Sequence, residues 1–165
     1  MWRRSSIGGW PTNVTRGVGS HVVTELLSAG TSVRGTSRTP GTGELPDAVE
    51  MVRLDLGEPE TLPAALDGIE KVFLYASPAG ITEFVSAAQA AEVEHIVLLS
   101  SASVVEPATR NSRNAQMHSA VEEALQESGI AWTFLRPTTF AANQLQWAPA
   151  IRSGEVEQAS GPSTR

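Results

Sequence analysis

The stretch that decides the fold runs over residues 95–135, HIVLLSSASVVEPATRNSRNAQMHSAVEEALQESGIAWTFL. Its opening, HIVLLSS, is a continuous apolar run of the length of a strand, as expected for a central parallel strand covered on both faces. Residues 115–128 follow as an amphipathic helix closed by Gly129, and residues 130–135 form another apolar run that ends before Pro137. A strand, a helix and a second strand at this spacing imply a right-handed crossover between parallel strands.

The same alternation extends upstream. Residues 71–76 (KVFLYA) are a buried strand, and residues 82–91 are an alanine-rich helix with Thr82 as its expected N-cap. Residues 59–66 suit a short helix, and residues 49–55 (VEMVRLD) alternate apolar and polar side chains as a strand does. Residues 33–36 form a short strand. In residues 19–29 the apolar Val22, Val23, Leu26 and Leu27 recur at helical spacing, with Gly30 as the stop. The strand that should come first must lie in SSIGGWP, whose two glycines and proline give it poor β propensity. Together these elements predict a single α/β domain with a Rossmann-like, doubly wound parallel sheet over residues 12–154. Residues 1–11 are then an irregular segment or a degraded first strand, and the polar residues 155–165 a flexible tail.

Composition narrows the function. The chain has 165 residues, of which 41% are hydrophobic and 18% charged, so it has the makings of one globular core. A net charge of −6 disfavours a direct nucleic-acid ligand, which would need clustered cations. No apolar run is long enough for a membrane span or signal peptide, and there is no cysteine, so a cytoplasmic protein is expected. Lys71 is the only lysine and Tyr75 the only tyrosine. A Tyr-x-x-x-Lys pair is therefore impossible. His21, His95 and His118 are scattered without ligand spacing, so no metal site is expected. Glu122 and Glu123 are adjacent on one helix and read as a solvated face, whereas Trp132, Phe134 and Trp147 suit core packing or a pocket wall.

In an open parallel sheet ligands bind at the carboxyl ends of the strands. The first such turn, Thr12-Asn-Val-Thr-Arg-Gly-Val-Gly19, leads into a helix whose free amides and dipole would attract phosphate, with Gly17 and Gly19 allowing close approach. A plain glycine-containing loop is the alternative reading. Ser37 and Arg38 end the next strand, where an adenosine ribose lies, and a cation there favours a 2′-phosphate. Asp55 and Leu56 stand where an adenine amino group would be met. Ala76, Ser77 and Pro78 end a strand with small residues, Ser100 and Ser101 end another, and Arg136-Pro137-Thr-Thr-Phe140 ends the last.

HVVTELLSAG, VRLDLGEPETL, KVFLYASP, HIVLLSSASV and above all VEEALQESGIAWTFLRPTTFAANQL resemble the NmrA-like atypical short-chain dehydrogenases, including the NAD(P)H:quinone reductase type, over residues 12–154. The resemblance implies a Rossmann domain that binds NADP(H) or NAD(H), with Thr12, Thr15, Gly17, Val18, Gly19, Ser37, Arg38, Asp55, Leu56, Ala76, Ser77, Pro78, Ser100, Ser101 and Pro137 on the cofactor, NADP(H) preferred. It also implies hydride transfer to a small quinone-like acceptor or, alternatively, a sensor or regulatory module without turnover. The family's phosphate loop, of the form T-G-A-T-G-x-V-G, is altered here, because Asn13 and Arg16 replace its first two glycines. Relatives continue beyond the end of this chain, so the acceptor side is expected to be shortened. At the family's Tyr and Lys positions stand Asn114, which cannot titrate, and His118, which is either a partly exposed polar residue or a catalytic group holding a ribose hydroxyl or donating a proton.

Overall fold

Lys71–Tyr75, strand β4 of the computed structural model, shows how the sheet is built. Val72 and Leu74 belong to the apolar cluster on one face, Phe73 and Tyr75 to that on the other. The two-residue period of the strand thus serves two cores at once. The structure describes residues 4–8, 17–40, 46–140 and 148–153. Within them β1 (Arg4–Gly8), β2 (Ser32–Ser37), β3 (Glu50–Arg53), β5 (His95–Leu99) and β6 (Ala131–Leu135) join β4 in the order β3-β2-β1-β4-β5-β6. Every neighbouring pair is parallel. The chain winds outward to β3 on one side of β1 and outward to β6 on the other, so the strand order reverses between β1 and β4. This is the expected doubly wound Rossmann sheet.

Helix α1 (Val18–Ser28) packs Val23 with Val33, Val49, Phe73 and Leu99 on one face. Helices α2 (Leu62–Leu66), α3 (Ile81–Ala90) and α4 (Arg113–Glu127) close the larger core on the other, through Leu66, Phe84, Val121 and Leu125. A short α5 (Ala148–Ser153) follows. Helix α1 ends as the sequence predicts: Gly30 takes φ 74°, and Thr31 N–H donates to the Leu26 carbonyl at 3.0 Å. Arg34, only 8% exposed, bonds Glu50 and donates to the carbonyls of Ala64, Ala65 and Asp67, so its charge caps the end of α2.

Four expectations change. Arg4–Gly8, in the stretch expected as an irregular segment or a degraded first strand, is a strand at the centre of the sheet, pairing with β2 and β4, and ladder partners on both sides supply what its propensity lacks. The helix expected to start from Thr82 begins at Ile81, after Gly80 in the left-handed region, without a side-chain cap. The helix expected over residues 59–66 is a 3-10 turn, Pro59–Thr61, followed by α2. Trp132 is 43% exposed on the edge strand β6 and stacks on Phe134 at 4.2 Å, so it is neither core nor cavity wall. Trp147 and residues 155–165 lie outside the described residues.

Gly80 is fixed by sterics. Its φ is 74°, and a Cβ there would collide with the Leu56 carbonyl, whose carbon would stand 2.7 Å away. Gly80→Ala therefore combines left-handed strain with overpacking against backbone, and its unfolding free energy by urea titration should fall by about 2–4 kcal/mol. A loss within experimental error would show that the Leu56 carbonyl does not stand against Gly80 as described.

Candidate functional site

The ends of β5 and β6 place Ser100 beside Arg136, because their last residues, Leu99 and Leu135, are register partners. Helix α4 packs behind them and brings Glu122 between the two. Glu122 is only 4% exposed; it accepts from the Ser100 hydroxyl at 2.5 Å and from Arg136 Nε and Nη2 at 2.9 and 2.6 Å. Burial pushes the Glu122 carboxyl up, but the Arg136 and Ser100 hydrogen bonds and the Arg136 charge outweigh it and hold the group below the usual range. The solvated face expected for Glu122 is thus corrected to a buried, fully partnered carboxylate. The signal was available in the sequence, since a serine and an arginine end neighbouring strands opposite one helix.

One turn before Glu122 on the same helix lies His118. Burial pushes its pKa down, partly offset by the Glu122 charge, so the imidazole is neutral at pH 7. Its Nδ1 is buried without a hydrogen-bond partner. His118 lines a cavity of about 460 Å³ together with Tyr75, Ala76, Ser100, Ser101, Asn114, Met117 and the segment 137–140. The Asn114 amide donates to the hydroxyls of Ser103 at 2.9 Å and Ser101 at 3.3 Å, while Ser101 Oγ caps the Ala102–Val104 turn by accepting from Ser103 N–H. The helix itself starts from Ser112, whose hydroxyl accepts from Ala115 N–H.

The cavity reaches α1 through Tyr75. The phenol oxygen accepts from Gly19 N–H at 2.7 Å, in the first turn of a helix that has no side-chain cap of its own. Burial raises the Tyr75 pKa, partly countered by the Gly19 hydrogen bond, so the phenol is neutral. At Gly17, with φ 80°, no atom of the described residues stands within 4 Å of where a Cβ would project. Helix amides, an open glycine and a small Ala76 fit a dinucleotide laid along the strand ends. Sequence reading found the glycines and Ala76 but had no means of placing Tyr75 over them.

The anticipated residues fall in several places. Ala76, Ser100, Ser101, Pro137 and His118 share the cavity; Gly17, Val18 and Gly19 open α1. Ser77 is buried, its hydroxyl donating to the Ala79 carbonyl, and the Pro78 carbonyl accepts from Ile81 N–H. Arg38 is exposed just after β2, and Ser37 Oγ accepts from Thr39 N–H. The Asp55 carboxylate accepts from Gly57 N–H in a tight turn, while the Leu56 side chain is in the core and does not face a ligand cleft. Thr12, Asn13, Thr15 and Arg16 lie outside the described residues. Among those described, no group of His, Asp and Glu could hold a metal, and no helix is long and apolar enough to cross a membrane.

A doubly wound parallel sheet of this order, with a cavity at the carboxyl ends of β4, β5 and β6, is that of a nucleotide-binding Rossmann domain. The model of the NAD(P)H-binding family matches residues 14–162, and the chain belongs to that family. The expected kinship with NmrA-like atypical short-chain reductases is thereby borne out. A (4-alkanoyl-5-oxo-2,5-dihydrofuran-3-yl)methyl phosphate reductase from Streptomyces griseus is 38% identical over 157 residues, 90% of this chain and 53% of that protein. The NADPH-dependent quinone oxidoreductase of Escherichia coli superposes with TM-score 0.72 at 26% identity, covering 92% of this chain and 53% of its own. The triphenylmethane reductase of Citrobacter sp. superposes with TM-score 0.75 at 24% identity, covering 93% and 55%. The chain spans about half the length of these relatives.

Glu122→Gln should cost about 1.5–3 kcal/mol of stability at neutral pH, because the charge-assisted hydrogen bonds from Arg136 and Ser100 to the buried carboxylate are weakened and the amide nitrogen adds a donor where only acceptors fit. A carboxyl whose folded pKa is depressed stabilises fully above its ordinary pKa of 4.5 and loses that contribution as pH falls through the lower folded value. The gap between wild type and variant in urea titrations should therefore shrink below about pH 4. A gap independent of pH would contradict the charge pairing.

Proposed function

We propose that the chain is the cofactor-binding part of a cytoplasmic NADPH-dependent reductase that passes hydride to a small quinone-like acceptor. One observation carries the reading: a cavity holding His118, Asn114 and Ser101 opens at the carboxyl ends of β4, β5 and β6, and Tyr75 in its lining bonds the glycine-led first turn of α1. The reductases named above support it. A quinone and a 5-oxo-2,5-dihydrofuran share a carbon–carbon double bond conjugated to a carbonyl, which is the kind of electron-poor acceptor a hydride donor reduces.

On this reading the amides and glycines from Thr12 and Thr15 to Gly17, Val18 and Gly19 hold the pyrophosphate. Ser37 and Arg38 take the adenosine 2′-phosphate, and Asp55 with the Leu56 backbone meets the adenine. Ala76, Ser77 and Pro78 let the dinucleotide run close to β4, and Ser100, Ser101 and Pro137 border its nicotinamide end. NADPH supplies the hydride. A neutral His118 holds a ribose hydroxyl, and the second hydrogen of the reduced acceptor comes from solvent as a proton, so that one hydride and one proton convert quinone to hydroquinone. The domain spans residues 12–154 together with strand β1, and no nucleic acid or membrane is a partner.

A second reading, a dinucleotide sensor without turnover, draws on Asn114: the residue at the acid position cannot titrate, and its amide is engaged by Ser101 and Ser103. Calorimetry followed by absorbance separates the two. NADPH should bind more tightly than NADH, and Arg38→Ala should weaken NADPH by about 1.5–3 kcal/mol while leaving NADH nearly unchanged. Equal losses for both cofactors would remove Arg38 from the 2′-phosphate site. Oxidation of bound NADPH on adding a quinone supports the reductase; tight binding without oxidation supports the sensor; no binding overturns both.

A further inference from the structure

We propose that Tyr75 is an internal competitor for the dinucleotide: its hydroxyl occupies a first-turn amide of α1 that the pyrophosphate takes on binding, so cofactor enters by displacing the phenol. The inference rests on the dinucleotide reading above and adds how that site is controlled. Three features support it. The hydroxyl comes from 56 residues away and accepts from Gly19 N–H at 2.7 Å, although α1 has neither a side-chain cap nor an acid in its first turn. One amide at the anion-attracting end of the helix is thus satisfied by a distant neutral group. The Tyr75 ring also lines the cavity and meets Phe73 edge-on at 5.7 Å, which places it between the helix terminus and the acceptor side. Finally, an amide bond to a phosphate oxygen is charge-assisted and roughly twice as strong as one to a neutral phenol, so the exchange runs toward the ligand. Release requires rotation about χ1, because the phenol oxygen lies on the χ2 axis and does not move when the ring turns about it.

Tyr75→Phe keeps the ring and removes the competing oxygen. In calorimetric titrations of the full chain it should bind NADPH about fivefold more tightly, the worth of one net hydrogen bond. Adenosine 2′-monophosphate, which lacks the pyrophosphate, should bind wild type and variant equally, which also reports that the variant is folded. Because Tyr75 is the only tyrosine, wild-type protein labelled with 13C at tyrosine Cζ gives one resonance, and NADPH should move it. Unchanged or weaker NADPH binding by Tyr75→Phe, or a Cζ resonance unmoved at saturating NADPH, overturns the inference and leaves the dinucleotide reading intact. If neither ligand binds either protein, the dinucleotide reading itself fails and this inference falls with it.

Discussion

The Glu122 carboxylate is the point on which three elements close. It sits on α4, accepts from Ser100 at the end of β5 and from Arg136 at the end of β6, and is shut off from water. An ion in that position is costly unless all its lone pairs are used, and here both oxygens are. The consequence is geometric. Fixing α4 against two strand ends also fixes His118, one turn earlier, and Asn114, two turns earlier, along the wall of the cavity. A loose α4 would leave both polar groups without a defined place. The same network keeps Ser100 from being a free hydroxyl.

On the other side of the sheet the governing constraint is close approach. Alternation along β4 sends Tyr75 toward α1 while Leu74 enters the opposite core. Small Ala76 follows, and Gly80 then turns the chain into α3 against the Leu56 carbonyl. A ligand lying across the reversal of strand order would pass from α1 over Ala76 to α4. Arg38 stands just after β2, exposed to solvent.

Much of this was legible in the sequence, for identifiable reasons. HIVLLSS and KVFLYA are apolar runs typical of a doubly covered parallel strand, and glycines at 30 and 129 mark helix ends because both adopt positive φ. The first strand was underestimated because its stability comes from β2 and β4 and not from its own residues. Glu122 was misread because adjacency to Glu123 suggested solvent, whereas adjacent residues on a helix point about 100° apart and can meet opposite environments. Tyr75 entered the sequence reading only as an excluded acid; its bond to Gly19 spans 56 residues and has no local signature. Pattern reveals what repeats along the chain, and what depends on tertiary meeting of unlike residues stays hidden.

The central claim is that a dinucleotide lies along the strand ends from α1 to α4. Amide hydrogen exchange followed by mass spectrometry, with and without saturating NADPH, tests it most directly. The account predicts slowed exchange in three separate segments, the first turn of α1, the chain after β4 around residues 76–80, and the chain after β5 around residues 100–103, with β3 and the far ends of the helices unchanged. Saturable binding whose protection falls elsewhere, or protection of α1 alone, would contradict it.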